Sequence, residues 1–220
     1  MRSDIAPRLP ELARAWVAGW AVSRGTATPV EERWGLRVDV GLPEHNARHV
    51  LLDTDEFTVR TAAWYVGAPG IRIKAFVPLG TLVSWAGAHW EPDWQNPAFL
   101  MAADLRSGSK RPPSGYRVLA ETDQALTHVR VLACDGSPVA RGQIAVTGES
   151  AVVDRVRTDP AHRRRGLATL VMHVLADIAT AQGATVGILA ASADGQALYD
   201  RLGWTVHSPL AGVAYRTVST

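Results

Sequence analysis

The sequence predicts a mixed α/β (α+β) fold: a mostly antiparallel sheet flanked by helices. Three observations carry that reading. Residues 115–156 hold four short runs of period-2 alternation with Asp135-Gly136 at one of the turns, an antiparallel signature. The period then switches: Leu167, Leu170, Val171, Val174, Leu175 and Ile178 form one apolar stripe of an amphipathic helix. Residues 185–191 are apolar on both faces, as a central buried strand requires.

The first half has its own punctuation. Residues 7–21 predict a helix with Leu12, Trp16 and Trp20 on one face. Residues 35–40 alternate as a strand and stop at Gly41 and Pro43, and 49–52 form a second apolar run. The acidic turn at Asp53 and Asp55 caps a helix over 58–66, and 71–77 read as a strand with Lys74 in its middle. Residues 84–104 read as loop with a short helix over 97–105. Seven of the eight tryptophans lie in the first 94 residues, predicting a tryptophan-rich core; Trp85, Trp90 and Trp94 are also a candidate wall of a substrate pocket. The stretch at 106–115, with serine, glycine, two prolines and charge, predicts a linker between units 1–105 and 115–220.

In the second half, strands are expected over 115–120, 127–134, 139–147 and 150–156. In the last of these, Val152, Asp154 and Val156 share one face by strict alternation. Asp159-Pro160 ends it, because proline has no amide for the ladder. Gly183 stops the helix that follows, Asp194 caps a last helix, Gly203 ends it, and two strand pieces at 204–206 and 213–217 complete the sheet.

Composition narrows function. The chain of 220 residues is 47% hydrophobic and 20% charged, ordinary for a soluble globular protein. A formal net charge of +2, with the arginines clustered locally, argues against a nucleic-acid partner. Cys134 is the one cysteine, which excludes an intramolecular disulfide and a thiolate metal site; no metal is expected, and Cys134 itself reads as a buried strand residue. No signal peptide or apolar run of membrane length is visible, so a cytoplasmic protein with no membrane partner is expected.

The chemistry concentrates at the junction before the amphipathic helix. The helix begins within Arg163, Arg164, Arg165, Gly166, Leu167 and Ala168. Its first amides have no carbonyl partners inside the helix and carry the positive end of the dipole. Small Gly166 and Ala168 let another group approach, and three arginines add charge. Such a terminus suits a phosphate or pyrophosphate.

Arg163-x-x-Gly166-x-Ala168 behind a strand ending in Asp-Pro resembles the acyl-coenzyme A signature of the GNAT acetyltransferase superfamily. Leu198-Tyr199-x-x-Leu202-Gly203-Trp204 resembles that superfamily's later helix–strand segment. The resemblance covers the C-terminal half from about residue 115. It implies a GNAT fold there, and the first half is expected to be a degenerate copy of it. It also implies acetyl-coenzyme A as cosubstrate: the diphosphate on residues 163–168, the pantetheine arm along the strand ending near Thr158, and a backbone amide near Val156 polarising the thioester. Tyr199 matches the general acid, and Asp154 stands where many members carry an acidic residue, making it the candidate base with Glu149 second. Ser192 takes the place of an asparagine that touches pantetheine in relatives. His162 and His173 are poorer candidates. The implied function is N-acetylation of a primary amine on a small molecule or peptide by direct attack, the amine lying between the halves. Asp53, Asp55, Glu91 and Asp93 could attract a cationic amine, although charges in loops are usually just solvated. The alternative is a non-catalytic acyl-coenzyme A sensor or interaction module. The sequence allows a homodimer without fixing it.

Overall fold

The computed structural model describes residues 9–93, 98–108 and 110–216. In chain order the elements are α1 (Leu9–Arg24), β1 (Val30–Glu32), β2 (Gly35–Leu42), β3 (His45–Leu51), α2 (Glu56–Val66), β4 (Ile71–Ala75), α3 (Leu79–Ala86), β5 (Trp90–Pro92) and β6 (Ala98–Asp104). After the linker come β7 (Tyr116–Asp123), β8 (Leu126–Ala133), β9 (Pro138–Thr147), β10 (Ser150–Thr158), a 3-10 turn (Pro160–His162), α4 (Leu167–Ala181), β11 (Val186–Ser192), α5 (Ala193–Arg201) and β12 (Thr205–Tyr215).

All strands join one sheet ordered β1-β2-β3-β4-β12-β6-β11-β10-β9-β8-β7, with β5 paired to β12. Among the described residues only β3–β4 and β10–β11 are parallel, and each pair is joined through a helix, α2 or α4. The expected mixed, mostly antiparallel sheet is therefore what forms.

Two strands cross between the halves. β6, from the first half, lies between β11 and the start of β12. The end of β12 lies between β4 and β5. The halves thus repeat an order: a parallel pair linked by a helix, a second helix, then a strand whose continuation enters the other half's sheet.

Where a helix is expected over 97–105 the structure has a strand, β6, which ends at Asp104, one residue before Leu105; Pro97 lies outside the described residues. Its sequence, rich in alanine, leucine and methionine, favours a helix. Burial overrides that preference. Leu100 and Met101 are both 0% exposed but belong to different clusters, one on each face, as a strand between β11 and β12 must be. Nor are there two terminal pieces: β12 runs unbroken, with a register shift between Val206 and Ser208 beside Pro209, where a bulge tolerates the missing amide.

The sheet has two unlike faces. α1 covers one: Leu12, Trp16, Val17 and Trp20 pack on Val38, Val50, Phe76, Leu100, Val152, Ile188 and Leu210. On the other, α4 covers Val129, Val131, Ile144 and Val153 through Leu167, Leu170, Val171 and Leu175, while α2 and α3 cover Ile73, Ala75 and Val213 through Val59, Ala62 and Leu82. The tryptophan-rich core is real for Trp16, Trp20, Trp34 and Trp90, but Trp64 is 82% exposed on α2, and Trp94 lies outside the described residues. Cys134 is exposed in the β8–β9 turn, not buried in a strand, because β8 ends one residue earlier; its thiol donates to Gly115 O at 3.3 Å.

Caps follow the sequence with one change. Asp55 accepts from Thr58 N at 2.9 Å and starts α2. Ser192, not Asp194, caps α5, accepting from Gly195 N at 3.2 Å; Asp194 sits in the first turn.

How closely α1 approaches depends on Gly19. A Cβ there would stand 2.4 Å from Val152 Cγ2, a stiff, fully buried side chain. Gly19→Ala gains about 0.8–1 kcal/mol of helix propensity, but overpacking costs about 1–3 kcal/mol. Net destabilisation, read as a lowered Tm, is expected; a raised Tm would show that α1 can lift without penalty. Leu175→Ala, which opens a cavity beneath α4, should cost about 2–5 kcal/mol in denaturant unfolding.

Candidate functional site

The site begins where two parallel strands part. β10 and β11 are paired over Ser150↔Val186 to Val153↔Leu189; beyond that both continue unpaired with one another, to Thr158 and Ser192. On its other side β10 shifts register against β9 between Asp154 and Arg157, and Arg155 takes φ 55. This is a bulge, which bends the strand and re-aims its amides. It also breaks the strict alternation expected of β10. Val152 packs under α1, but Val153 and Val156 both pack on the α4 side, while Asp154 bonds to α1.

A cavity of about 1440 Å³ occupies the gap. That exceeds the roughly 300–1,000 Å³ of a single small-molecule pocket. Its lining comes from both faces of the sheet: the start of α4 and Tyr199 of α5 on one, Trp16, Trp20 and Arg24 of α1 on the other, with Arg48 of β3 and Lys74 of β4 at the far end.

At the α4 end the chain is shaped before the helix starts. The Asp159 carboxylate accepts from Ala161 N at 2.8 Å, and Pro160 opens the 3-10 turn. Arg164 and Gly166 then take left-handed φ values of 62 and 75. Gly166 is the N-cap of α4 and supplies no side-chain cap, so the first amides of a 15-residue helix have no side-chain acceptor there. A Cβ on Gly166 would meet nothing within 4 Å. Its backbone conformation asks for glycine, and the space beside it is open.

The three arginines do not act together. Arg163 and Arg164 line the cavity with Gly166, Leu167 and Ala168. Arg165 turns away and donates to Tyr116 Oη at 2.9 Å; that hydroxyl also bonds His162 Nδ1 at 3.0 Å. Successive residues of a tight turn point in different directions, so three in a row cannot all face one ligand. Thr158 lines the cavity with its hydroxyl buried and, among the described residues, without a hydrogen-bond partner. A buried hydroxyl in that state is costly unless something else completes it.

Tyr199 lies along the first turn of α5, near Gly195, its ring 6.1 Å from that of Trp204. Burial, and then the charge of Asp154, push its hydroxyl up to about 12. Ser192 also lines the cavity; its oxygen is used in capping, which leaves its proton to donate.

Asp154 is heavily engaged. It accepts from Arg24 Nε at 2.5 Å and Nη2 at 2.9 Å, from Ser23 Oγ at 3.0 Å and from Arg155 N at 2.8 Å. Gln143 Nε2 ties the same corner, donating to Ser23 O at 2.6 Å and Ser23 Oγ at 2.7 Å. Glu149 sits exposed in the turn at the opposite end of β10, away from the cavity lining. His173 lies on α4 against a separate, smaller cavity, its pKa lowered by burial and then by Lys110.

The sequence reading missed the far end of the cavity. None of the four carboxylates that could attract an amine lines it: Asp53 is exposed, Asp55 caps α2, Glu91 pairs with Arg216, and Asp93 is buried against Arg72 at 3.4 Å. The tryptophans that reach the cavity come from α1, while Trp85 of α3 and Trp90 of β5 belong to the core on the opposite face of the sheet. Arg48 and Lys74, 7% and 4% exposed, stand there instead.

Among the described residues, no group of His, Cys, Asp and Glu is placed to hold a metal, and no helix is long and apolar enough to cross a membrane.

The fold is shared with solved proteins of low sequence identity. A GCN5-related N-acetyltransferase from Kribbella flavida superposes with a TM-score of 0.69 at 17% identity, over 97% of each chain. An acetyltransferase of the GNAT family from Novosphingobium aromaticivorans gives 0.59 at 19% identity, over 93% of this chain and 97% of that one. A tandem GNAT protein from the clavulanic acid biosynthesis pathway gives 0.52 at 14% identity, over 75% and 69%. No curated relative matches the chain. The sequence model described as the acetyltransferase (GNAT) family matches residues 80–204, a span that takes in the open end of β10, the glycine turn before α4 and Tyr199. With more than half its length matched, and those elements built around one cavity, the chain belongs to the acetyltransferase (GNAT) family.

Proposed function

We propose that the protein transfers an acetyl group from acetyl-coenzyme A to a primary amine by direct attack. The observation that carries this reading is the cavity between the parted strands, with an uncapped helix N-terminus at one end and a half-buried tyrosine beside the split. In this reading the diphosphate rests on the first amides of α4 with Arg163 and Arg164. Arg165 holds the turn in place through Tyr116 and does not touch the coenzyme. The pantetheine arm lies along the unpaired edge of β10, where Thr158 supplies a hydroxyl and Ser192 a second from β11. The amide at the Val156 bulge polarises the thioester carbonyl.

The amine nitrogen attacks the thioester carbon and the C–S bond breaks; the thiolate takes its proton from Tyr199, and the tyrosinate takes the second proton that the nitrogen sheds as it becomes an amide. Because the tyrosine is held at about 12, it keeps that proton well above the usual tyrosine range of about 10. The acceptor, an ammonium of pKa about 10.4 in water, must lose a proton first. Asp154 takes it once Arg24 turns aside; Arg24 is at the rim, with 34% of its side chain exposed. Trp16 and Trp20 wall the acceptor side. The first half is, in this view, a degenerate copy of the same fold. The division into 1–105 and 115–220 is then one of sequence copies, since each half completes the other's sheet with a strand. A sensor that binds the coenzyme without turnover is the competing reading, and thiol release from acetyl-coenzyme A over an amine panel separates them.

Tyr199→Phe should lower kcat by about 10²–10⁴-fold with coenzyme affinity unchanged; unchanged turnover would remove the general-acid role. Gly166→Val should weaken coenzyme A binding in a calorimetric titration by at least about tenfold, since it strains a left-handed position and fills the open side; native affinity would refute the diphosphate site. Asp154→Asn, which cannot take the proton, should lower kcat/KM by about 10²–10⁴-fold; native turnover in that variant would sink the role.

A further inference from the structure

The far end of the cavity holds more positive charge than the protein neutralises. Arg48, Arg72 and Lys74 share the α1-facing side of β3 and β4: Arg48 pairs in register with Arg72, and Lys74 lies one pleat further along β4. Gly212 of β12, opposite Lys74, brings no side chain, and a Cβ there would stand 3.1 Å from Lys74 Nζ. Asp93 is paired with Arg72. Among the described residues neither Arg48 nor Lys74 forms an ion pair, and the buried Arg48 Nε has no hydrogen-bond partner. The Arg48 guanidinium lies 4.4 Å from the Trp20 ring, and both side chains line the cavity.

Building on the acyl-transfer reading, we propose that the acceptor is an amine that also carries a carboxylate, and that Arg48 and Lys74 hold that carboxylate while the amine reaches past Trp20 toward Asp154. Buried cations without counter-ions are unfavourable, and a ligand anion relieves them. Arg48 stands between the two ends, since the charges of both Asp93 and Asp154 act on it. The Trp16 and Trp20 rings form the apolar wall along which the substrate stem lies. The charge at this end matches a carboxylate. Asp93 offsets Arg72, and burial, followed by Arg48, pushes Lys74 down to about 7, so only part of its charge is present at neutral pH. Arg48, lowered only to about 10, stays charged. His45, lowered to about 4 by burial and then by Arg48, adds none. That leaves between one and two positive charges for the ligand.

The test is ligand-observed NMR on the protein, with and without saturating coenzyme A, using glycine, β-alanine and γ-aminobutyrate, each against its carboxamide and its aminophosphonate. At least one amino acid should bind at least about tenfold more tightly than its carboxamide and its phosphonate. Arg48→Gln should abolish that preference while leaving coenzyme A affinity unchanged. Lys74→Met should abolish it too and raise the Tm of the unliganded protein, which a purely structural lysine would not do. Carboxamides binding as well as the acids, a preferred phosphonate, no binding by any member, or a preference that survives Arg48→Gln would each overturn the proposal. A separate titration with coenzyme A alone reports on the donor reading. If that titration fails while the acids still bind, the acyl-transfer reading falls and the carboxylate site stands.

Discussion

Everything at this site depends on four pairs of residues. β10 and β11 are hydrogen-bonded from Ser150↔Val186 to Val153↔Leu189, and then the parallel ladder stops while both strands go on. Parallel strands are ordinarily buried and fully paired, so an opening in the middle of a twelve-stranded sheet leaves backbone donors and acceptors without strand partners. The bulge at Arg155 and Val156 turns the loosened edge of β10 and places Asp154 on one face of the sheet and Val156 on the other. The opening is therefore also a passage between the faces. In the proposed reaction, donor and acceptor come from opposite sides and meet at the bulge.

The two ends of this passage are held by different physics. At the α4 end the determinants are local: an Asp-Pro turn, two left-handed residues and a helix that starts without a side-chain cap. At the α1 end they are long-range. α1 is seated by the absence of a Cβ at Gly19 and tied down by the Gln143–Ser23–Asp154–Arg24 network, whose members lie up to 131 residues apart. A buried polar network with its groups satisfied fixes one arrangement of a helix on a sheet, where apolar packing alone would allow several.

The crossing strands explain why the halves act together. β6 lies in the second half's part of the sheet and the end of β12 in the first's, so separating them would expose edges on β11 and β4. The same exchange completes the floor beneath α1, where Leu100 of β6 and Leu210 of β12 join Val50 and Val152 in one cluster.

By itself the sequence determined what depends on neighbours in the chain. The β8–β9 turn, the order of strands from β7 to β10, the stripe of α4, the glycine before it and the Asp55 cap follow from residues within a few positions of each other, because turn geometry, helix period and capping are local. Tertiary structure decided what depends on partners far along the chain. It made a strand of the helix-favouring run in β6, broke the alternation of β10, turned Arg165 from the cavity to Tyr116, engaged Asp154 with Arg24, and set Arg48 and Lys74 at the cavity's far end. Each outcome was fixed by burial against, or bonding to, a group whose position only the assembled sheet supplies, and no pattern within a single segment encodes it.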